Sequence, residues 1–172
     1  MSLLARLLGT RPDPREALRP LWHRTVEIAR EPGWYARGGV ADTVAGRFDA
    51  ITLVLALIML RMDGHAELKA PSARLTELFV DDMDGQLRQS GVGDLVVGKR
   101  IGKLVSVLGG RIEALREALV ATDDATLIEA IERNVTLDDN GDPAAIAAEL
   151  RVLAARLAAT TDADLLAGAI TR

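Results

Sequence analysis

The sequence contains no cysteine, which excludes disulfide bonds, zinc sites with thiolate ligands and thiol chemistry. Aromatic residues make up only 3% of the 172 residues, whereas alanine and leucine are abundant. This composition favours helices, because Ala and Leu lose little entropy in a helix and aromatic strand formers are few. Hydrophobic residues account for 49% and charged residues for 27%, which is typical of a globular protein that is long enough to bury a core.

Long apolar runs are also missing. The longest is ITLVLALIML at residues 51–60, well below the roughly 20 residues needed to span a bilayer, so we expect a buried core helix there. The N-terminal stretch MSLLARLLGTR is too short and too interrupted by arginine for a secretory signal, so we expect a cytoplasmic protein. Its leucines would share one side of a two-turn helix, which would either dock on the fold or contact the inner face of the cytoplasmic membrane peripherally.

The net charge of −4 is unevenly distributed along the chain. Residues 1–61 carry a net +3, residues 62–87 a net −4, residues 88–120 a net +3 and residues 121–172 a net −6. Because no domain-wide basic surplus exists, we expect no nucleic-acid binding. Local basic faces on an acidic protein fit a specific protein partner or a lipid surface better.

Apolar residues recur at helical spacing through most of the chain, and no segment alternates as a strand would. We therefore predict an all-α fold of about seven helices in one compact domain. Asp42 and Asp142 are the predicted N-caps of two of these helices, with Pro143 at the first helical position after Asp142. The predicted helices cover about residues 20–31, 42–62, 72–87, 94–119, 122–134 and 143–157, and a short last helix follows Thr161.

Three regions are expected along the chain. Residues 1–14 form an N-terminal amphipathic segment and linker, because RPDP at residues 11–14 breaks regular structure. Residues 15–135 form the main helical domain, and residues 136–172 form a C-terminal helical extension that packs on the core or extends it. The apolar residues Ile146, Leu150, Leu153 and Leu157 of this extension follow a spacing that requires a partner helix.

Patterns typical of enzymes fail in their context. The stretch GVGDLVVGKR at residues 91–100 contains G-x-x-x-x-G-K, but Arg100 replaces the Ser or Thr of a P-loop and the preceding segment is helical in character. The acidic stretches DDMDG and TLDDNG lack acidic residues at the first and last positions of a calcium loop. His23 and His65 belong to no ligand-spaced cluster, and no nucleophile motif is present. We expect no catalysis, no metal site and no cofactor.

Two features near the predicted core helix leave alternatives open. Trp34 and Tyr35 follow a Pro-Gly turn, and they would either anchor a partner at the surface or plug the edge of the helical core. Arg47 lies beside the apolar helix and must be paired if it is buried, with an acid that we expect on another helix.

Charged residues at helical spacing predict two further faces. Lys99, Arg100 and Lys103 would share one face opposite the apolar stripe, and Arg111 would extend that face two turns further on. Glu77, Asp81 and Asp84 would form an acidic stripe with Arg88 as the ion-pair partner of Asp84. Each face is either a binding surface or an ordinary solvated surface.

Several linked blocks stand out along the chain, namely Trp34-Tyr35 in an aromatic turn, DTVAGRFD at residues 42–49, DMDGQLR at 82–88, GVGD at 91–94, KR at 99–100 and GR at 110–111. Together these blocks resemble the ubiquinol–cytochrome c chaperone family. They match the family pattern in order and spacing over about residues 21–135, roughly two-thirds of the chain. The sequence departs from the family pattern at Ala41, Gln89-Ser90, Gly98 and Leu108-Gly109.

The resemblance implies a non-enzymatic, bacterial assembly factor for the ubiquinol–cytochrome c reductase (bc1) complex. Its expected partner is cytochrome b or a bc1 assembly intermediate, together with a second small assembly factor. The alternative is a membrane-peripheral helical adaptor that binds anionic lipid and a protein partner. The expected protein-binding face, in which acids and bases together favour specificity, consists of Asp42, Arg47, Asp82, Asp84, Arg88, Asp94, Lys99, Arg100 and Lys103.

Overall fold

The computed structural model describes residues 13–89 and 94–171, and it describes side chains at residues 13–86 and 102–171. In these residues there are seven α-helices and no strand apart from one isolated bridge between Val40 and Leu137. The all-α prediction of about seven helices is therefore confirmed. The helices are α1 (Arg19–Ala29), α2 (Val44–Met62), α3 (Lys69–Gln89), α4 (Asp94–Val120), α5 (Ala125–Asn134), α6 (Pro143–Ala159) and α7 (Asp162–Leu166).

Helix α2 lies at the centre of the fold and packs against α1, α4 and α6. Every residue from 50 to 58 is buried, which confirms the prediction of a core helix in this apolar run. Helix α3 closes the core from another side through Phe79, whose ring meets the edge of Trp22 at a centroid distance of 6.1 Å. No helix in the described part of the chain combines the length and the apolar character needed to cross a membrane.

Helix α3 begins at Lys69, three residues before the predicted start at Ser72. A 3₁₀ turn at Ala66–Leu68 leads directly into it, and Pro71 lies in the first turn, where its missing N–H leaves no helical hydrogen bond unmade. The i, i+3, i+4 spacing of Leu75, Leu78, Phe79, Met83 and Leu87 predicts an apolar stripe, and the first four of these residues are buried. The side chain of Leu87, the last member of the predicted stripe, lies outside the described residues.

Helix α4 buries much of its predicted apolar stripe, which consists of Ile101, Leu104, Val105, Leu108, Ile112, Leu115 and Leu119. Leu104, Ile112 and Leu119 are partly buried and pack against the core. Leu108, Leu115 and Ala118 are buried, but Val105, which was placed on the apolar stripe, is exposed. Arg111 is buried between Leu108 and Leu115 along the helix, so the prediction that it extends an exposed basic face is wrong. Positions 104, 108, 111, 115 and 118 follow the i, i+4, i+7 spacing of one helical face.

The caps at the helix starts decide where the chain turns. Asp142 accepts a hydrogen bond from Ala145 N at 3.0 Å, which confirms its predicted role as N-cap, and Thr161 caps α7. The prediction that Asp42 caps α2 is wrong. Thr43 is the N-cap instead, and its hydroxyl accepts a hydrogen bond from Gly46 N at 3.1 Å.

The start of α5 is also later than predicted, at Ala125 rather than Thr122. The carboxylate of Asp123 accepts a hydrogen bond from Ala125 N at 3.0 Å. The Arg151 guanidinium on α6 donates to the carbonyl oxygens of Ala121 and Asp123. Side-chain hydrogen bonds to backbone groups therefore hold residues 121–124 in a turn rather than in a helix.

The segment after α5 is hydrogen-bonded to the loop before α2. Ala41 N donates to Thr136 O at 2.9 Å, and Asp138 N donates to Gly39 O at 2.8 Å. Gly39 adopts a positive φ of 66°, a conformation that glycine reaches without steric cost. The predicted stripe of α6, Ile146, Leu150, Leu153 and Leu157, is buried. The C-terminal helices therefore pack directly on the core.

Candidate protein-binding groove

An apolar groove opens where the end of α1, the start of α2, the end of α3 and the middle of α4 meet. Its volume is about 1100 Å³. Phe48 and Ile51 of α2, Met83 of α3 and Leu104 of α4 form its floor. The remaining lining residues are Arg30, Tyr35, Asp42, Val44, Ala45, Arg47 and Gln86.

Val44, at the first position of α2, adds an exposed aliphatic side chain to the rim of the apolar groove. Its side chain is 87% exposed, so folding of this chain does not use it. Because Val44 lies beside the apolar floor, it extends the continuous apolar surface that a partner could cover. The floor includes Met83, whose flexible thioether adapts to different guests.

Charged groups border the apolar groove on the α1 and α2 sides. Arg47 and Asp42 form an exposed ion pair with an Nε–Oδ1 distance of 2.6 Å. The hydrogen bond from Arg47 lowers the pKa of the Asp42 carboxyl below its ordinary value. The guanidinium of Arg30 is exposed and makes no hydrogen bond or ion pair with a described residue. Among the described residues that line the groove, the charged groups of the rim therefore sum to a net positive charge.

Trp34 and Tyr35 hold the loop that borders this rim. Trp34 is buried, and its Nε1 donates a hydrogen bond to Ile28 O at 2.8 Å. The hydroxyl of Tyr35 donates to Ala29 O at 3.0 Å. Trp34 therefore plugs the edge of the core, which was one of the two open interpretations. Burial raises the pKa of the half-buried Tyr35, and the nearby Arg47 opposes this shift.

A buried ion pair lies behind the floor of the groove. Arg111 of α4 is 5% exposed and Asp49 of α2 is 7% exposed, and their Nη2 and Oδ1 atoms are 2.5 Å apart. Arg111 also donates to the hydroxyl of Thr52 and, at 2.6 Å, to Asn134 O at the end of α5. Its guanidinium carbon lies 5.6 Å from the ring centroid of Phe48, within the range of a cation–π contact.

The second oxygen of the Asp49 carboxylate completes this network. Oδ2 accepts hydrogen bonds from Thr136 N at 2.8 Å and from Thr136 Oγ1 at 2.7 Å. Asp49 and Arg111 thus join α2, α4 and the segment after α5 at one buried point. Since Phe48 precedes Asp49 and contacts Arg111, the same network positions the floor of the apolar groove.

Asp49 and Arg111 were not among the predicted site residues. Asp49 is the last residue of the DTVAGRFD block, and Arg111 is the last residue of the GR block. A signal was present, because an acid in the middle of a helix that is apolar all round must find a basic partner. We instead expected such a pair for Arg47, with its acidic partner on another helix. That expectation is wrong, because Arg47 is exposed and pairs with Asp42 just before the same helix.

The predicted charged face is partly described by the structure. Asp42 and Arg47 lie on the rim of the apolar groove, and the exposed Lys103 precedes the floor residue Leu104. Asp82 lines a neighbouring polar cleft of about 580 Å³ between α1 and α3, and it accepts a hydrogen bond from Gln86 at 3.2 Å. Asp84 is half-buried on α3. The side chains of Arg88, Asp94, Lys99 and Arg100 lie outside the described residues.

One member of the predicted acidic stripe, Asp81, forms an ion pair with the chain before α1. The Nη1 atom of Arg15 lies 2.5 Å from the Oδ2 atom of Asp81. This ion pair ties the chain before α1 to α3. The described residues contain no group of three or more histidine or acidic side chains that could hold a metal ion. The apolar groove, rather than a polar pocket, is therefore the best candidate for a functional site in the described residues.

Comparisons with known proteins agree on one family. A sequence model of the ubiquinol-cytochrome C chaperone family matches residues 36–172, which includes the C-terminal segment. Among solved structures, the chain is similar to the crystal structure of the Cbp3 homolog from Brucella abortus, with a TM-score of 0.79 and 31% sequence identity. The similarity covers 91% of this chain and 88% of that one. A search of curated proteins found no match.

Proposed function

The chain belongs to the ubiquinol–cytochrome c chaperone family, and from this premise we propose that it binds cytochrome b, or a bc1 assembly intermediate, during assembly of the complex. Family membership implies a role in bc1 assembly and interaction with components of that complex. Chaperones of this kind are generally not enzymes. The proposal concerns the finer points, namely the client and the surface that holds it.

The observation that carries the proposal is the apolar groove with charged residues beside it. A client that is held before it enters a complex has apolar surface to cover, and the groove offers recessed apolar side chains together with the exposed Val44. The charged residues next to the groove add specificity, because acids and bases placed together reject partners with mismatched charges. A second small assembly factor would share this face or the polar cleft beside it.

The proposed binding face keeps the residues that the sequence indicated. Asp42 and Arg47 contribute from the rim of the groove, and Lys103 contributes from α4. Asp82 and Asp84 contribute from α3. Arg88, Asp94, Lys99 and Arg100 remain assigned to the face on the resemblance of their sequence blocks.

The test is complementation of a strain that lacks the gene. We expect wild-type protein to restore cytochrome b and assembled bc1 complex, and Val44→Asp to fail because it places a charge at the apolar rim. Val120→Asp is the matched control, since Val120 is 82% exposed but does not line the groove. Both variants should keep the far-ultraviolet circular dichroism and melting temperature of the wild type.

A second variant tests the basic part of the face. Replacing Lys99, Arg100 and Lys103 together by glutamate should reduce bc1 assembly in a protein that remains folded. Normal assembly with this triple variant would remove these three residues from the proposed face. Normal assembly in the strain without the gene would contradict the proposed function itself.

A further inference from the structure

We propose that the apolar groove binds an amphipathic α-helix of a protein partner, and that this helix carries acidic residues beside its apolar stripe. The inference rests on the proposed function, because it names the kind of partner that the same face receives. It adds the secondary structure, the length and the charge of the bound segment.

The walls of the groove require a bound segment, or guest, whose backbone N–H and C=O groups are already hydrogen-bonded to each other. The described floor residues all come from α-helices, whose backbone N–H and C=O groups are already paired within the helix, so this part of the groove offers no sheet edge to an extended strand. A guest over an apolar floor must therefore form its own backbone hydrogen bonds. An α-helix does so, and the groove would receive it as one more member of a helical bundle.

The length of the groove limits the contact to about two helical turns. The lining residues of α2 run from Val44 to Ile51, a rise of roughly 10 Å at 1.5 Å per residue. A guest helix of matching length presents apolar side chains at i, i+3, i+4 and i+7. Phe48, Met83 and Leu104 offer three separate contact points for these side chains, one on each of three helices.

The rim of the groove sets the charge of the guest. The described lining of the groove contains two arginines, Arg30 and Arg47, and one acid, Asp42. The Arg30 guanidinium makes no ion pair with the described residues. Acidic side chains on the guest would pair with these arginines, whereas basic ones would be repelled. Residues 1–12 of this chain contain Arg6 and Arg11 and no acid, so their charge disfavours them as the occupant.

The depth of the floor argues against a lipid surface. Met83 is buried and Phe48 is half-buried, whereas Val44 on the rim is exposed. A flat headgroup layer would meet Val44 and the arginines but would not reach the floor, whereas side chains that project from a helix would. The observations therefore favour a protein segment over an anionic membrane.

The test uses the full chain and a set of synthetic helical peptides. One peptide carries leucines at i, i+3, i+4 and i+7 flanked by glutamates, a second has lysines in place of the glutamates, and a third has scrambled leucine positions. Calorimetric titration should show binding of the glutamate peptide to the wild type and to Val120→Asp. Val44→Asp should weaken this binding about tenfold or more, and Arg30→Glu with Arg47→Glu should reverse the preference toward the lysine peptide.

Several results would overturn the inference. They are equal binding of the glutamate and lysine peptides, no binding of any leucine-patterned peptide, or a charge preference unchanged by the Arg30 and Arg47 substitutions. Three other occupants of the groove would also overturn the inference. This would require that the occupant binds the wild type but not Val44→Asp, and that the glutamate peptide does not bind. The three occupants are a synthetic peptide of residues 1–12, vesicles of phosphatidylglycerol in flotation, and a second copy of the chain measured by light scattering.

The peptide results and the complementation results separate two failures. Binding of the glutamate peptide together with normal bc1 assembly in Val44→Asp would support the guest chemistry and contradict the proposed use of the groove. Loss of assembly in Val44→Asp without selective peptide binding would support the proposed function and overturn the inference.

Discussion

Replacing Arg111 by methionine should lower the free energy of unfolding by about 3 kcal/mol. Breaking a buried ion pair by removing one partner costs about 3–5 kcal/mol, because the remaining charge stays buried without its counterion. In this variant Asp49 still accepts two hydrogen bonds from Thr136, at 2.8 and 2.7 Å. These bonds compensate part of the lost interaction, so we expect the lower end of the range.

Replacing Asp49 by leucine should cost more, about 5 kcal/mol. The Arg111 guanidinium stays charged in any protein environment, and without Asp49 only the Thr52 hydroxyl and the Asn134 carbonyl accept its hydrogen bonds. The donors of Thr136 also lose their acceptor. The double variant, Asp49→Leu with Arg111→Met, should be no less stable than Asp49→Leu alone, because it leaves no unpaired charge.

Urea denaturation followed by circular dichroism measures these differences through linear extrapolation. Arg116→Met is the control, because Arg116 also lies on α4 and pairs with Asp63 but is exposed. We expect a far smaller shift of its unfolding midpoint. The reasoning would be refuted if Arg111→Met stayed within about 1 kcal/mol of the wild type, or if the double variant showed the sum of the two single effects.

The described contacts also make predictions for Tyr35, for Asp63 and for two glycines within helices. Tyr35 is the only tyrosine, so ultraviolet titration of tyrosinate should give a pKa above 10.0 in the folded protein, higher still in Arg47→Gln, and a return to about 10 in denaturant. Asp63 has a pKa lowered below 3.8 by its ion pair with α4. The ionised Asp63 carboxylate therefore stabilises the fold fully above pH 3.8, and this stabilisation is lost as the pH falls through the lowered pKa. Asp63→Asn removes this contribution, so the melting temperature of the variant should depend less on pH below 3.8. Gly46→Ala should destabilise the protein by about 1–3 kcal/mol, because a Cβ there would overlap a backbone carbonyl oxygen. Gly109→Ala, also within a helix but facing open space, should stabilise it by up to about 1 kcal/mol in the same denaturation assay.

Local signals in the sequence predicted the helices well. Asp142 followed by Pro143 marks the start of α6, because capping involves only residues within one helical turn of each other. Leu150 and Leu157 are buried because a spacing of seven residues places both on one face whatever the partner helix is. At α2 the same local rule predicts Asp42 as the N-cap, but the N-cap is Thr43. Neighbouring capping residues compete, and the loop geometry decides between them.

The network behind the groove could not be predicted in the same way. Asp49 and Arg111 are 62 residues apart, and no local rule indicates which acid meets which arginine. Helical periodicity placed Arg111 with the basic residues, because hydrophobicity patterns assign a charged residue to the solvent face unless a buried partner is known. The floor of the apolar groove comes from three helices that meet only in the folded protein. In the sequence its residues therefore could not be distinguished from other core residues.

The most direct test of the central claim is photo-crosslinking from the rim of the groove. A benzophenone amino acid at position 44, with position 120 as the equally exposed control, would be irradiated in cells that are assembling the bc1 complex. Mass spectrometry would then identify the proteins joined to each position. We expect position 44 to capture cytochrome b or a bc1 assembly intermediate and position 120 to capture neither. Capture of neither at position 44, or equal capture at both positions, would contradict the account.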